Sequence, residues 1–286
     1  MPRFGIGWRR EIADSILRNL DEFDVIEIII DDYLDASRKE LDYLKFLNSQ
    51  VPVIFHGIQL GLASSLEVET SRLKKYKKVI DYTKITDWSE HLAFVRGREV
   101  EIHHLAQPPM NASTLVGLKK NLNKAKKIIG SLPKMENPAS LIFPPGSDWN
   151  EIDWIQKILE ETEIDLLLDL HNLYVNSENF QFDPYEYIFK INLQRINTIH
   201  IAGGILREKK LIDTHLHNVP DKVFQFLEFI GGKENKIKNV ILERDGNFPH
   251  INELIQEIKK AKEHYHKART FTKKRGDGNI PRATLH

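Results

Sequence analysis

The 286-residue sequence contains no cysteine. This excludes disulfides, thiolate zinc sites, iron–sulfur ligation and a cysteine nucleophile, so any metal has to be held by His, Asp, Glu or Asn. There is no excess charge of either sign: 41 Lys and Arg oppose 41 Asp and Glu, which gives no support to bulk attraction for nucleic acid or anionic lipid. Long apolar runs are missing too. The most apolar stretches, Val25 to Ile30 and Leu166 to Leu170, fall well short of the roughly 20 residues a membrane helix needs, and MPRFGIGWRREIADS lacks the apolar core of a signal peptide. A cytoplasmic protein with no membrane and no nucleic-acid partner is expected. Neither GxGxxG nor GxxxxGK[ST] occurs, which counts against an open doubly wound sheet.

What is present is an alternation. Short β-branched or apolar runs at Arg3 to Gly7, Asp24 to Ile30, Val51 to Phe55, Lys84 to Trp88, Pro133 to Met135, Ile164 to Leu168, Arg195 to Ile199 and Lys238 to Leu242 read as strands. Between them, helical spacing recurs over 9–20, 36–49, 66–82, 113–130, 148–161, 183–193, 220–231 and 249–268. Eight βα units predict an α/β protein, a single (β/α)8 TIM barrel over residues 1–268 with a metal site at the C-terminal strand ends. Residues 269–286 lose helical periodicity and carry five Lys or Arg to one Asp, so a basic, flexible tail is expected there. Asp148 with Glu151 reads as a capping box, Pro184 as a first helical turn, and Gly130 and Gly231 as helix stops.

In a parallel barrel the chemistry lies just past the apolar part of each strand. Those positions hold His56 after strand three, Glu90 and His91 after four, Glu136 after five, Asp169 and Asn172 after six, His200 after seven and Glu243 after eight. The seventh loop adds Asp213 and His215, whose spacing puts both side chains on one face of an extended segment. A single such residue reads as a buried hydrogen-bonded histidine, a rim salt bridge or a helix cap. Six consecutive strands doing the same would cost several kcal/mol without a cation to neutralise the carboxylates. Four His, two Glu, two Asp and one Asn exceed what one mononuclear ion uses, so two or three ions are expected; the donor types suit iron, zinc or manganese alike. His103 and His104 read as loop residues, and His171 as pointing away from Asp169 along an extended segment.

The ordered motifs GIGWR, FHGIQLGLAS, SEHLAF, ENP, LDLHNLYVN, HIAGG, DTHLHNVPD and ILERDGNFP resemble the multinuclear non-heme iron-dependent oxidative enzymes, formerly a domain of unknown function. The resemblance spans nearly the whole barrel. It implies a TIM barrel holding two or three irons of mixed Fe(II)/Fe(III) state, with O2 as co-substrate. Matched motif by motif, Glu136, Asp169, His200 and Glu243 hold one iron, His56 and His91 a second with Glu136 bridging, and Asn172, Asp213 and His215 the third. It further implies oxidation of a cysteine, or of a C-terminal aspartate, in a ribosomally made precursor peptide, often with a separate peptide-recognition protein. His171 stands where Asn is more usual, and EIHHLAQPP at 101–109 differs from the family's more apolar loop. The competing reading is a TIM-barrel metal hydrolase or isomerase, sharpest as the trinuclear-zinc apurinic endonuclease type. That type carries His three residues after the strand-six Asp, where this chain has Asn172.

Overall fold

The alternation of strand and helix closes on itself. The computed structural model describes residues 1–97 and 100–276. In chain order the elements are β1 (Arg3–Gly7), α1 (Ala13–Arg18), β2 (Val25–Ile29), α2 (Arg38–Gln50), β3 (Val53–Gly57), α3 (Thr70–Thr83), β4 (Trp88–His91), β5 (Phe94–Arg96), β6 (Glu101–Ala106), α4 (Ala112–Ile129), β7 (Lys134–Glu136), α5 (Glu151–Glu161), β8 (Leu166–Asp169), α6 (Leu170–Phe180), α7 (Pro184–Lys190), β9 (Ile196–Ile201), β10 (Ile205–Arg207), β11 (Lys210–Ile212), α8 (Asp221–Gly231), β12 (Asn239–Leu242) and α9 (Ile251–Gly276). Strands β1, β2, β3, β4, β7, β8, β9 and β12 pair in parallel around a closed barrel. The expected (β/α)8 barrel is the observed fold.

Strand alternation sorts the side chains into two populations. Ile26 and Ile28, Phe55, Met135, Leu168, Ile199, Val240 and Leu242 join the large apolar cluster that includes helix residues such as Leu41, Leu44 and Leu47 of α2. Residues of opposite parity, Val25, Ile54 and Ile241, form a separate small cluster. Two residues further along those same three strands the parity repeats, and there stand Glu27, His56 and Glu243. An apolar layer thus underlies a polar one, with the charged layer at the C-terminal strand ends.

Several local expectations are corrected. The fourth strand runs over Trp88–His91 rather than 84–88, because Lys84, at φ 64°, closes α3 in the left-handed conformation. Asn150, not Asp148, caps α5, its side chain accepting from the Asp153 amide. Gly231 lies inside α8, and the chain leaves the helix at Gly232. Pro184 does open α7, and Gly130, at φ 101°, does end α4. Helix α6 follows β8 with no intervening loop, and two antiparallel hairpins, β5–β6 and β10–β11, follow β4 and β9. Helix α9 continues to Gly276; the rest of the tail, 277–286, lies outside the described residues. Among the described residues, no helix is long and apolar enough to cross a membrane.

Candidate metal centre

The inward parity at the strand ends brings two buried groups together. His56, His91 and Glu136 form one, and Glu136, Asp169, His200 and Glu243 the other, each with one ligand atom per residue and all such atoms within 4.8 Å of one another. Glu136 belongs to both. Its Oε2 lies 3.4 Å from His56 Nε2 and 3.5 Å from His91 Nε2, and its Oε1 lies 3.7 Å from His200 Nδ1.

Neighbouring groups decide which nitrogen of each ring faces inward. Ser89 donates its hydroxyl to the Phe55 carbonyl, so at 2.8 Å it accepts from His56 Nδ1–H and leaves Nε2 as the bare lone pair. His91 Nδ1 faces the Gly57 carbonyl at 3.3 Å, which can only accept, so its Nε2 is the free atom. His200 is reversed: Nε2 donates to Glu27 at 3.0 Å, and Nδ1 turns inward. Glu27 is buried and was not singled out in the sequence. Its position two residues beyond Val25 on the inner face of β2 is the signal that would have found it.

The inward atoms aim at shared points rather than at one another. His200 Nδ1 lies 3.0 Å from Glu243 Oε2 and His215 Nε2 lies 2.9 Å from Asp213 Oδ1, yet His200 Nδ1, His215 Nε2 and Asp213 Oδ1 have no aligned hydrogen-bond partner. Glu136 Oε2, Asp169 Oδ2 and Asn172 Oδ1 are buried and unpartnered as well. Isolated polar atoms of this kind cost about 1–3 kcal/mol each, and cations among them remove that cost. The donor set of imidazole and carboxylate therefore fits a multinuclear metal site.

Without cations, protons do part of the neutralising. Burial opposes a charge on His91, but Glu136 and Glu90 outweigh it and hold the ring up to about 9. Burial would raise the Glu136 carboxyl, yet His91 and His200 bring it down to about 2. Asp169 is pushed well above the usual carboxylate range by burial and then by Glu136.

Asp213 and His215 sit beside this centre. His215 Nδ1 reaches Glu243 Oε2 at 3.4 Å and Asp245 Oδ2 at 3.2 Å. The segment is not extended as expected; His215 adopts φ 52°, a left-handed conformation that turns its ring back towards Asp213. Asn172 donates Nδ2 to the Asn137 carbonyl and keeps Oδ1 free. The reading of His171 is overturned. Because Asp169 caps α6, accepting from the Asn172 amide at 2.6 Å, His171 lies in a helical turn, fully buried, with Nε2 3.5 Å from Asp213 Oδ1. Glu90 has the opposite parity from His91 and leaves the centre; its Oε2 accepts from the Leu60 amide and its Oε1 from the His91 amide. His104 lies in β6 rather than in a loop; the side chain of His103 lies outside the described residues.

The centre opens into a cavity of about 760 Å³. His56, His91, Glu136, Asn172, Asp213, His215 and Glu243 line its floor, and Phe94, Leu105, Pro138, Leu141, Ile142 and Ile212 contribute apolar wall. Arg9 also lines it, donating Nε to Asp245 at 2.7 Å and standing 3.4 Å from Glu243. Both hairpins contribute to this wall, so they extend the barrel mouth into an enclosure.

The fold is shared widely. Endonuclease IV from Thermus thermophilus superposes with a TM-score of 0.55 at 13% identity, covering 96% of this chain and 100% of that one. The 3-keto-D-glucoside 4-epimerase YcjR from E. coli gives 0.58 at 12%, covering 92% and 99%. At such identities the likeness extends to the fold alone. In sequence, a UPF0276 protein of Nitrosospira multiformis is 27% identical over 260 residues, 90% of this chain and 91% of the relative. A UPF0276 protein of Streptomyces avermitilis is 30% identical over 273 residues, 93% of this chain and 55% of the relative. The model of a family described as RiPP precursor modification enzyme MbnB/TglH/ChrH matches residues 3–266. With the barrel fold, the two buried groups of metal-ligating residues and this match over nearly the whole barrel, the chain is a metal-dependent enzyme that belongs to the MbnB/TglH/ChrH family of RiPP precursor modification enzymes.

Proposed function

We propose that the protein is a cytoplasmic, multinuclear non-heme iron enzyme that uses molecular oxygen to oxidise a side chain of a ribosomally made precursor peptide, a cysteine or a C-terminal aspartate. The observation that carries this reading is the pair of buried groups sharing Glu136 beneath a largely apolar cavity. Glu136, Asp169, His200 and Glu243 would hold one iron, His56 and His91 a second across Glu136, and Asn172, Asp213 and His215 a third. Bound iron supplies the one-electron chemistry that couples oxygen to an otherwise unreactive C–H bond. The protein's part is to fix donor directions through Ser89, Gly57 and Glu27, and to keep water from the reacting carbon with the apolar wall. Since the chain has no cysteine, a reacting thiol comes from the substrate. Family membership supports a precursor peptide as substrate; a separate peptide-recognition subunit as partner is a further part of the proposal.

The test is elemental analysis of protein purified without oxygen, followed by oxygen uptake on adding ferrous iron with a cysteine-containing peptide or a peptide ending in Asp. Two to three irons per chain and peptide-dependent oxygen consumption are expected. Tightly held zinc with no oxygen consumption overturns the oxidase in favour of a metal hydrolase or isomerase. Glu136→Ala should lower bound metal by more than one ion per chain; undiminished metal content would refute the bridging assignment.

A further inference from the structure

His171 has no role in the ligand sets described so far, yet its polar ring is wholly enclosed. It is fully buried, and neither ring nitrogen has a hydrogen-bond partner. A core histidine ordinarily satisfies at least one nitrogen, because a buried unpaired polar atom costs about 1–3 kcal/mol. Its Nε2 points towards Asp213 Oδ1, 3.5 Å away, and that same oxygen is 2.9 Å from His215 Nε2. Asp213 Oδ1 and His215 Nε2 are themselves unpartnered, so three free donor atoms of the types that bind transition metals face one small region. The ring is seated by Gly204, where a Cβ would fall 2.7 Å from His171 Nε2 and 2.1 Å from the Ile212 carbonyl oxygen. Only a bare glycine leaves that edge open.

We propose that His171 Nε2 is a direct ligand of the outer ion, alongside Asp213 and His215. This rests on the outer site of the proposed function and adds a second imidazole to it. The alternative is a positioning role, with Nε2–H donating to Asp213 and no bond to metal. Metal content alone would not separate the two, since losing an outer hydrogen bond also weakens binding.

The probe is Co(II) loaded anaerobically into the full chain, read by the strongly shifted ring N–H signals that only metal-bound histidines give in proton NMR, with bound cobalt measured in parallel. On the proposal the wild type shows such signals from His56, His91, His200, His215 and His171. His171→Asn loses one of them and retains the outer ion roughly tenfold less well or worse, while the ions at the Glu136 groups are unaffected. If His171 gives no shifted signal although His215 does, the outer site exists and the direct bond does not. If neither is shifted and only the inner ions bind, the outer site itself fails, the proposal fails with it, and the Glu136 centre stands. The wild-type spectrum is decisive by itself, so the test survives a variant that does not fold. Comparing the melting temperatures of the metal-free proteins separates lost ligation from lost structure.

Discussion

Two glutamates outside the proposed ligand set show how much depends on single side chains. Glu27 holds His200 by its outer nitrogen at 3.0 Å. Glu27→Gln can no longer fix that ring's tautomer by charge, and Glu27→Ala removes the contact; metal affinity at the Glu136–Asp169–His200–Glu243 group is expected to fall roughly 10–100-fold. A competition titration against a chelator checks this, with wild-type affinity counting against the orienting role. Glu151 opens α5 and accepts from Tyr187 and from Asn176. Burial pushes its carboxyl up to about 7, against the pull of those two donors. The folded state thus prefers the protonated form: the associated stability is complete below the unfolded carboxylate pKa and is lost as pH rises through about 7. Glu151→Gln should accordingly be more stable than wild type at pH 8, by up to about 3 kcal/mol, and the difference should vanish near pH 4. Urea unfolding at both pH values measures it, and a gain equal at the two would contradict burial of the charge as the cause.

At the scale of elements, the barrel was legible, and the two hairpins and helix α6 at its mouth were not. Apolar runs such as LLL in β8 and VIF in β3 announce strands, because a strand covered on both faces has no polar alternation to hide it. The residues that end those runs, His56, His91, Glu136, Asp169, His200 and Glu243, were legible for the same reason. Helix α6 was missed because Asp169 is read as the end of a strand, whereas its side chain starts a helix at the very next residue. The β10–β11 hairpin turns on Glu208 and Lys209, both with positive φ, in place of the Asn-Gly or Asp-Gly that ordinarily marks such a turn. Without the long-range placement of these pieces, His171 and Glu27 carried no visible role. Asn137 is the corresponding hinge between β7, β8 and α6: its side chain accepts from the Asp169 amide at 2.8 Å and donates to the Asp169 carbonyl at 3.1 Å. Asn137→Ala removes both of these buried hydrogen bonds and should destabilise the fold by about 1–3 kcal/mol, read as a lower midpoint in urea. A midpoint within a few tenths molar of wild type would show that the junction is held by other means.

For the whole molecule, the centre is a liability until it is occupied. Carboxylates at the C-terminal ends of β7, β8 and β12 meet at one end of the barrel, and their mutual cost is distributed through strands that also carry the apolar core. Ions that bind only the folded chain stabilise it by mass action, about 2.7 kcal/mol at a hundredfold excess over Kd. Stripping the metal should therefore lower Tm by at least about 5 °C for a chain of this size, with recovery on restoring ferrous iron. No change in Tm on chelation would mean that the cluster is neutralised by its own histidines.

Asp169 splits its carboxylate between two tasks, one oxygen taking the Asn172 amide hydrogen and the other left free towards the centre. The start of α6 and the centre consequently share this one carboxylate. Hydrogen–deuterium exchange at the Asn172 amide becomes a local gauge of occupancy, slow when an ion pins the carboxylate and faster when it is free to swing. A backbone proton then reports on the metal with no need for colour, spin or substrate.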